Sequence, residues 1–148
     1  MNLSGVLEQC DSIFLDTAPI IYYIEAHPQY GRLSKTIVES FQSGETSAFT
    51  SVLTLTEVMT KPLEKGNNKL AGEFVDFLQY GKNLALLEIT QTIAKTAAKL
   101  RGKYPFLKTI DAVQLAAAKD VGTDAFLTND KKLKNIKDTK VLLLNDYL

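Results

Sequence analysis

Most of the predicted architecture follows from one segment, Lys108-Thr-Ile-Asp-Ala-Val-Gln-Leu-Ala-Ala-Ala-Lys-Asp-Val-Gly-Thr-Asp-Ala-Phe-Leu-Thr-Asn-Asp130. It predicts a helix with Thr109 as its N-cap and Asp111 in its first turn. The apolar run 125–128 that follows is typical of a buried parallel strand, and Asp130 comes at the end of it. Because ligands bind at the carboxyl edge of open α/β sheets, the segment places two acids where a site is expected.

The same pattern recurs towards the N-terminus. The apolar strand Ser12-Ile-Phe-Leu-Asp16 also ends in an acid. Pro19 is predicted at the first position of the next helix, and a later helix that carries Glu57 is predicted to be closed by Pro62 and Gly66. Short apolar strands alternate with helical periodicities along the rest of the chain. This alternation predicts an α/β fold, with a parallel sheet between two layers of helices, in one domain without repeats or linkers.

Composition sets the broad class of the protein. The chain has 148 residues, 45% of them apolar, which suits a single domain with a real core. Its 17 basic and 17 acidic residues balance, so net charge argues neither for nor against nucleic acid. No basic segment precedes an apolar core at the N-terminus, and no apolar run approaches the ~20 residues that span a bilayer. With the single Cys10 excluding an internal disulfide, we expect a cytoplasmic protein.

Four acids are the candidates for chemistry: Asp16, Glu57, Asp111 and Asp130. Each also has a simpler explanation, because Asp16 and Asp130 could cap helices, Asp111 suits a helix dipole and Glu57 could be solvated. Their coincidence favours a site, since Asp16 and Asp130 both end apolar strands and Asp111 begins the helix between them. Carboxylates gathered at one edge resist ionisation unless a cation neutralises them. An oxygen-only set suits Mg²⁺ or Mn²⁺.

Four segments of the chain, taken in order, are similar to the successive motifs of PIN-domain ribonucleases. They are Phe14-Leu-Asp-Thr-Ala-Pro-Ile-Ile-Tyr-Tyr-Ile-Glu25, Thr50-Ser-Val-Leu-Thr-Leu-Thr-Glu-Val58, Asp111-Ala-Val-Gln-Leu-Ala-Ala117 and Phe126-Leu-Thr-Asn-Asp130. Within that family the chain most resembles the VapC-type toxins of bacterial toxin–antitoxin pairs. The resemblance runs nearly end to end, so we expect one PIN-like nuclease domain over residues 1–148.

The resemblance implies an α/β/α sandwich and a Mg²⁺- or Mn²⁺-dependent endoribonuclease. It casts the four acids as the metal site and Thr128 as a residue that positions water or metal. The reaction implied is in-line attack on phosphorus by a metal-bound water, without a side-chain nucleophile. The resemblance also implies a cognate antitoxin partner and a homodimer, for which the apolar run Ile20–Ile24 offers a surface.

Basic residues after the last acid offer a contact for RNA. Lys131, Lys132 and Lys134 follow Asp130 directly, and they form the densest basic run near the expected metals. A run of lysines is usually only a solvated face. Its position makes contact with phosphate a comparable expectation.

Two other functions stay open at this point. Asp16 at the end of a first strand would also suit an enzyme that transfers phosphate through an aspartyl phosphate, although such sites have a second Asp where this chain has Ala18. A non-catalytic PIN-like module that docks a protein partner is the other alternative, and four intact acids speak against it. A dinucleotide enzyme is disfavoured, because no G-x-G-x-x-G turn follows the first strand.

Overall fold

A five-stranded parallel sheet forms the centre of the computed structural model, which describes residues 1–148. The strands, numbered in chain order, are β1 Ser12–Leu15, β2 Ser47–Ser51, β3 Leu84–Leu87, β4 Ala125–Thr128 and β5 Val141–Leu143. Their spatial order is β3-β2-β1-β4-β5, and every neighbouring pair is parallel. The two strands that end in predicted site acids, β1 and β4, are therefore adjacent at the middle of the sheet.

Helices connect these strands and cover both faces of the sheet. They are α1 Leu3–Glu8, α2 Thr17–Ile24, α3 Gly31–Gln42, α4 Leu53–Glu64, α5 Asn68–Tyr80, α6 Gln91–Lys103 and α7 Thr109–Val121. Two short 3-10 helices, Lys131–Asn135 and Leu144–Tyr147, flank β5. None of the helices has the length and apolar character needed to cross a membrane.

The two faces of the sheet carry separate cores. Ile13 of β1 belongs to the core beneath α1 to α5, whereas its neighbour Phe14 belongs to the core beneath α6 and α7. Strand β4 alternates in the same way, and its Phe126 stacks on Phe14 with ring centroids 5.4 Å apart. Alternate side chains of a strand point to opposite faces, so each strand supplies both cores. The predicted fold class, an α/β/α sandwich, is confirmed.

Of the two residues predicted to close helix α4, Pro62 lies inside the helix and Gly66 follows shortly after its end. The helix continues to Glu64, and Pro62 is buried on the same stripe as Thr54 and Val58. A proline in the last turn removes one hydrogen bond, and its burial offsets part of this cost. The Pro62 carbonyl still accepts a hydrogen bond from the Asn67 N–H, at 2.8 Å.

Two predicted helix starts are also displaced. Helix α2 begins at Thr17, so Pro19 is its third residue and not its first. The first amides of a helix have no partner within it, so a proline costs little there. Helix α7 has Lys108, with extended backbone, as its N-cap, so the predicted cap Thr109 is its first residue. The Thr109 hydroxyl instead accepts a hydrogen bond from the Arg101 guanidinium at 2.9 Å.

The apolar run of α2 packs largely inside the protein. Ile20 is buried, and the next four side chains are half-buried against the first core. The run packs against α3, α4 and the sheet within one chain, and the four side chains after Ile20 remain partly exposed.

Candidate acidic active site

Asp16 and Thr128 meet at the carboxyl ends of the two central strands. Leu15 pairs with Leu127 in the parallel ladder, so the next residues of the two strands lie side by side. The Thr128 hydroxyl donates a hydrogen bond to Asp16 Oδ2 at 2.7 Å, and the Thr17 N–H donates to Oδ1 at 2.9 Å. Asp16 thus caps α2 with one oxygen and contacts β4 with the other.

Thr128 also contacts the backbone of Asp130, the next acid along the chain. Its hydroxyl oxygen accepts a hydrogen bond from the Asp130 N–H at 3.1 Å, while its proton goes to Asp16. Asp130 Oδ1 in turn accepts from the Lys132 N–H at 3.1 Å and caps the short 3-10 helix. Both capping explanations of the sequence analysis are correct, and they are compatible with a site because further carboxylate lone pairs remain free.

Asp111 is delivered to the same edge by the N-terminus of α7. It lies in the first turn of the helix, as predicted, and its side chain is half-buried. Burial raises the pKa of Asp111, and the charge of Asp130 raises it further. A hydrogen bond from the Lys108 backbone and the charges of Lys108 and Lys132 act in the opposite direction. Two acids and two lysines therefore share one electrostatic environment.

The same environment acts most strongly on Asp16. Burial is the largest cause that raises the pKa of Asp16, to about 6. The hydrogen bonds from Thr128 and Thr17 lower this pKa, and the charges of Asp111 and Asp130 raise it. Three of the four predicted acids are thus close enough to affect each other's ionisation.

Glu57 is less involved than the other three acids. Its side chain is exposed, because the buried stripe of α4 runs through Thr54, Val58 and Pro62 instead. Leu53, one turn before Glu57 on the same side of the helix, packs against the core beneath α7. The charges that act most strongly on Asp16 and Asp111 do not include that of Glu57. The simpler explanation of Glu57, a solvated position on a helix, agrees with its exposure.

The chemistry of the site is that of unpaired oxygen donors. No group of three or more acidic, His or Cys side chains is placed to hold a metal ion in this arrangement. None of the three ion pairs of the protein involves Asp16, Asp111 or Asp130. The hydroxyl of Thr17, next to Asp16, is buried without a hydrogen-bond partner. Their oxygens are of the type that hard cations bind, and a bound cation would offset both the burial and the repulsion that raise the two pKa values.

A buried polar network lies among the elements that carry the acids. The amide of Gln114 donates to Thr54 Oγ1 at 2.9 Å, and its carbonyl oxygen accepts from the Ser51 hydroxyl. Thr54 Oγ1 is 2.8 Å from Thr50 Oγ1, which donates to the Leu15 carbonyl. The network joins α7, α4, β2 and the residue before Asp16. Sequence reasoning did not identify it, although a glutamine inside an apolar helical run was a signal.

The basic residues after Asp130 differ in their environments. The charge of Lys132 lowers the pKa of Asp111, so it lies within electrostatic reach of the site. Lys134 instead forms an ion pair with Asp146 at 2.8 Å. Lys131 is exposed. Of the three predicted RNA-binding lysines, Lys132 is therefore the one whose charge is among the main influences on Asp111.

The chain matches a known protein family. A family model described as the PIN domain matches residues 13–139. A search of curated proteins finds no match.

Several solved structures are similar to the chain over most of its length. One is VapBC2 from Rickettsia felis bound to a promoter DNA fragment, with a TM-score of 0.72, 17% identity, and coverage of 89% of this chain and 98% of that chain. A toxin–antitoxin complex from Klebsiella pneumoniae has a TM-score of 0.65, 22% identity, and coverage of 89% and 97%. VapC20 from Mycobacterium tuberculosis, a toxin that cleaves the sarcin–ricin loop, has a TM-score of 0.67, 15% identity, and coverage of 86% and 98%. At these identities the likeness establishes a common fold.

Proposed function

Because the chain belongs to the PIN domain family, we propose that it is a metal-dependent endoribonuclease and the toxin of a toxin–antitoxin pair. One observation carries the proposal: Asp16, Asp111 and Asp130 converge at the carboxyl edge of the sheet, with the pKa values of Asp16 and Asp111 raised. Such convergence is costly for stability, and pKa values perturbed in this way cluster at functional sites.

The acids would hold Mg²⁺ or Mn²⁺. Asp16, Asp111 and Asp130 would be the central donors, and Glu57 of α4 would be a fourth donor. When bound, the ion supplies Lewis-acid activation of a water molecule and of the phosphodiester. Thr128 holds the Asp16 carboxylate in place through its 2.7 Å hydrogen bond. Asp130 keeps one oxygen on the 3-10 helix and leaves the other free. No side chain of the site needs to act as a nucleophile.

RNA as the substrate is supported by two observations. Lys108 and Lys132 both act on Asp111, so two cations that could contact phosphate lie within electrostatic reach of the acids. A structural neighbour, VapC20, cleaves an RNA loop. Unpaired or looped RNA suits such a site, because lysine contacts to phosphate carry no base information and unstacked bases are the usual source of specificity.

A protein partner and a second copy of the chain complete the proposal. Several structural neighbours are toxin–antitoxin complexes, which supports a cognate antitoxin. The homodimer rests on the resemblance to VapC-type toxins. Light scattering on the protein alone and with a co-expressed antitoxin would measure both associations, and a monomer at tens of micromolar would contradict the dimer.

The direct test of the proposed function is the response to divalent metal. Cleavage of an RNA loop should require Mg²⁺ or Mn²⁺ and should stop when EDTA is added. Mn²⁺ should raise the melting temperature of the protein by mass action. At a concentration a hundredfold above Kd, the free energy of unfolding should increase by about 2.7 kcal/mol. Cleavage that persists in EDTA would exclude the metal mechanism. Metal binding without cleavage of any RNA would favour a docking module.

The lysine contacts give a second prediction. The double variant Lys131→Gln/Lys132→Gln should weaken RNA binding about equally for all sequences and flatten its salt dependence by a slope of roughly 0.7 per lost contact. Lys134→Gln is the matched control, because Asp146 already neutralises this lysine. Binding is measured by fluorescence anisotropy in EDTA, which prevents cleavage. An unchanged slope in the double variant would make these lysines a solvated face only.

A further inference from the structure

A closed set of contacts surrounds Asn129 at the end of β4. Its side-chain amide donates to the Tyr22 hydroxyl oxygen at 3.1 Å, and its Oδ1 accepts from the Asn145 N–H at 3.0 Å. The Tyr30 hydroxyl donates to Asn145 Oδ1 at 2.8 Å. The circuit closes because the rings of Tyr22 and Tyr30 stack, with centroids 4.9 Å apart and planes 23° from parallel.

His27 supports both tyrosines of this circuit. Its ring lies 4.8 Å from the ring of Tyr22 and 5.2 Å from that of Tyr30. Its Nδ1 accepts hydrogen bonds from the N–H groups of Gln29 and Tyr30, both at 3.1 Å. The turn before α3 is therefore fixed. It holds Tyr30 in the position from which its hydroxyl donates to Asn145.

The position of Asn129 links this circuit to the acids. Asn129 stands between Thr128, which holds Asp16, and Asp130, whose N–H is held by Thr128. A side chain fixed at both ends restricts the backbone on either side of it. The partners of Asn129 lie on α2 and on the C-terminal 3-10 helix. Neither of these elements adjoins β4 in the chain. Ordering a turn in this way costs conformational entropy, which the three hydrogen bonds offset.

We propose that Asn129 is a positioning residue of the acidic site, held by Tyr22 directly and by Tyr30 through Asn145. Its role is to fix the direction in which the Asp130 carboxylate leaves the strand. The consequence for metal binding rests on the proposed function, whereas the consequence for the Asp130 backbone does not. Groups that orient metal ligands without touching the metal commonly affect metal affinity.

The test is Tyr22→Phe, which removes one hydroxyl and keeps the stacked ring. Tyr23→Phe is the matched control, because Tyr23 is the next residue of the same helix and packs on Phe77 through its ring. Tyr22→Phe should weaken Mn²⁺ binding by on the order of tenfold, measured by calorimetry without RNA. It should lower kcat for RNA cleavage by a similar factor and leave KM within about twofold. The control should match the wild type in all three quantities.

A second measurement keeps the inference independent of the metal. In the metal-free protein, Tyr22→Phe should speed amide hydrogen exchange at Asp130 about fivefold, the factor expected for the loss of one hydrogen bond. Unchanged exchange at Asp130 overturns the positioning role, whether or not the protein binds metal. Faster exchange with unaltered Mn²⁺ affinity also overturns it, because Asn129 would then be only structural. A wild type that binds no Mn²⁺ would instead refute the proposed function, and the exchange result alone would decide the role of Asn129.

Discussion

Replacing Asp16 with Asn should abolish RNA cleavage and at the same time stabilise the metal-free protein at pH 7.5. Loss of cleavage follows from the position of Asp16 at the centre of the site, between Thr17 and Thr128. Changes in groups that only support metal ligands cost about 10- to 100-fold in activity. The loss of a central donor should reach at least the upper end of that range.

The stabilising effect follows from the pKa of Asp16. Burial, helped by the charges of Asp111 and Asp130, raises this pKa from 3.8 to about 6. The folded protein therefore binds more protons than the unfolded chain between these values, and its stability falls as the pH rises through them. Above about pH 6 the penalty is complete, and a shift of about two units corresponds to roughly 3 kcal/mol. Asn carries no charge and still offers the Thr17 N–H an acceptor, so it should recover about 1–2 kcal/mol of this penalty.

Urea unfolding in EDTA at two pH values tests the sign. Asp16→Asn should be more stable than the wild type at pH 7.5, and the difference should disappear near pH 3, below both the folded and the unfolded pKa of Asp16. Asp76→Asn is the control, because Asp76 is exposed on α5. It should alter neither cleavage nor the pH dependence. Cleavage retained by Asp16→Asn would show that Asp16 is not part of the metal site. Equal stability at pH 7.5 would show that the ionised Asp16 carboxylate does not destabilise the folded protein.

The sequence could predict the centre of the site because parallel strands meet in a simple way. Two apolar runs that each end in an acid must present those acids at one edge if the strands are parallel neighbours. The pairing of Leu15 with Leu127 makes Asp16 and Thr128 meet, and both features were visible as short runs between turns. Asp111 followed from a helix that must start at the same edge to lead into β4.

The remaining contributors could not be predicted, since they depend on contacts between distant segments. Asn129 looked like an ordinary turn residue, and its importance appears only when α2 and the C-terminal residues are placed around it. Glu57 is exposed although apolar residues surround it in sequence. The rotation of α4 is set instead by the burial of Thr54, Val58 and Pro62. Two of these three are not strongly apolar, so hydrophobic periodicity pointed to a different face.

Gln114 gives the second large effect, on stability. Its side chain is fully buried and bridges Ser51 on β2 to Thr54 on α4. Gln114→Leu keeps the size of the side chain but removes both hydrogen bonds, and it leaves the buried Ser51 hydroxyl without its acceptor. An unsatisfied buried group costs about 1–3 kcal/mol, and each lost bond adds to that. We expect a loss of about 2–3 kcal/mol, partly offset by the apolar contacts that Leu gains.

Urea unfolding measures this loss as a fall of about 1 M in the midpoint, for a slope near 2 kcal/mol/M. The double variant Ser51→Ala/Gln114→Leu is the matched control, because it removes the orphaned hydroxyl together with its former partner. Ser51 Oγ also accepts a hydrogen bond from the Leu53 N–H at 3.2 Å, and the double variant removes that acceptor too. We therefore expect it to recover only part of the loss, since replacing both partners of a buried hydrogen bond by apolar groups is nearly neutral. A Gln114→Leu protein within about 0.5 kcal/mol of the wild type, the usual range for surface substitutions, would show that the network does not hold these elements together. A loss that the double variant deepens would place the cost outside the hydrogen bond between Ser51 and Gln114.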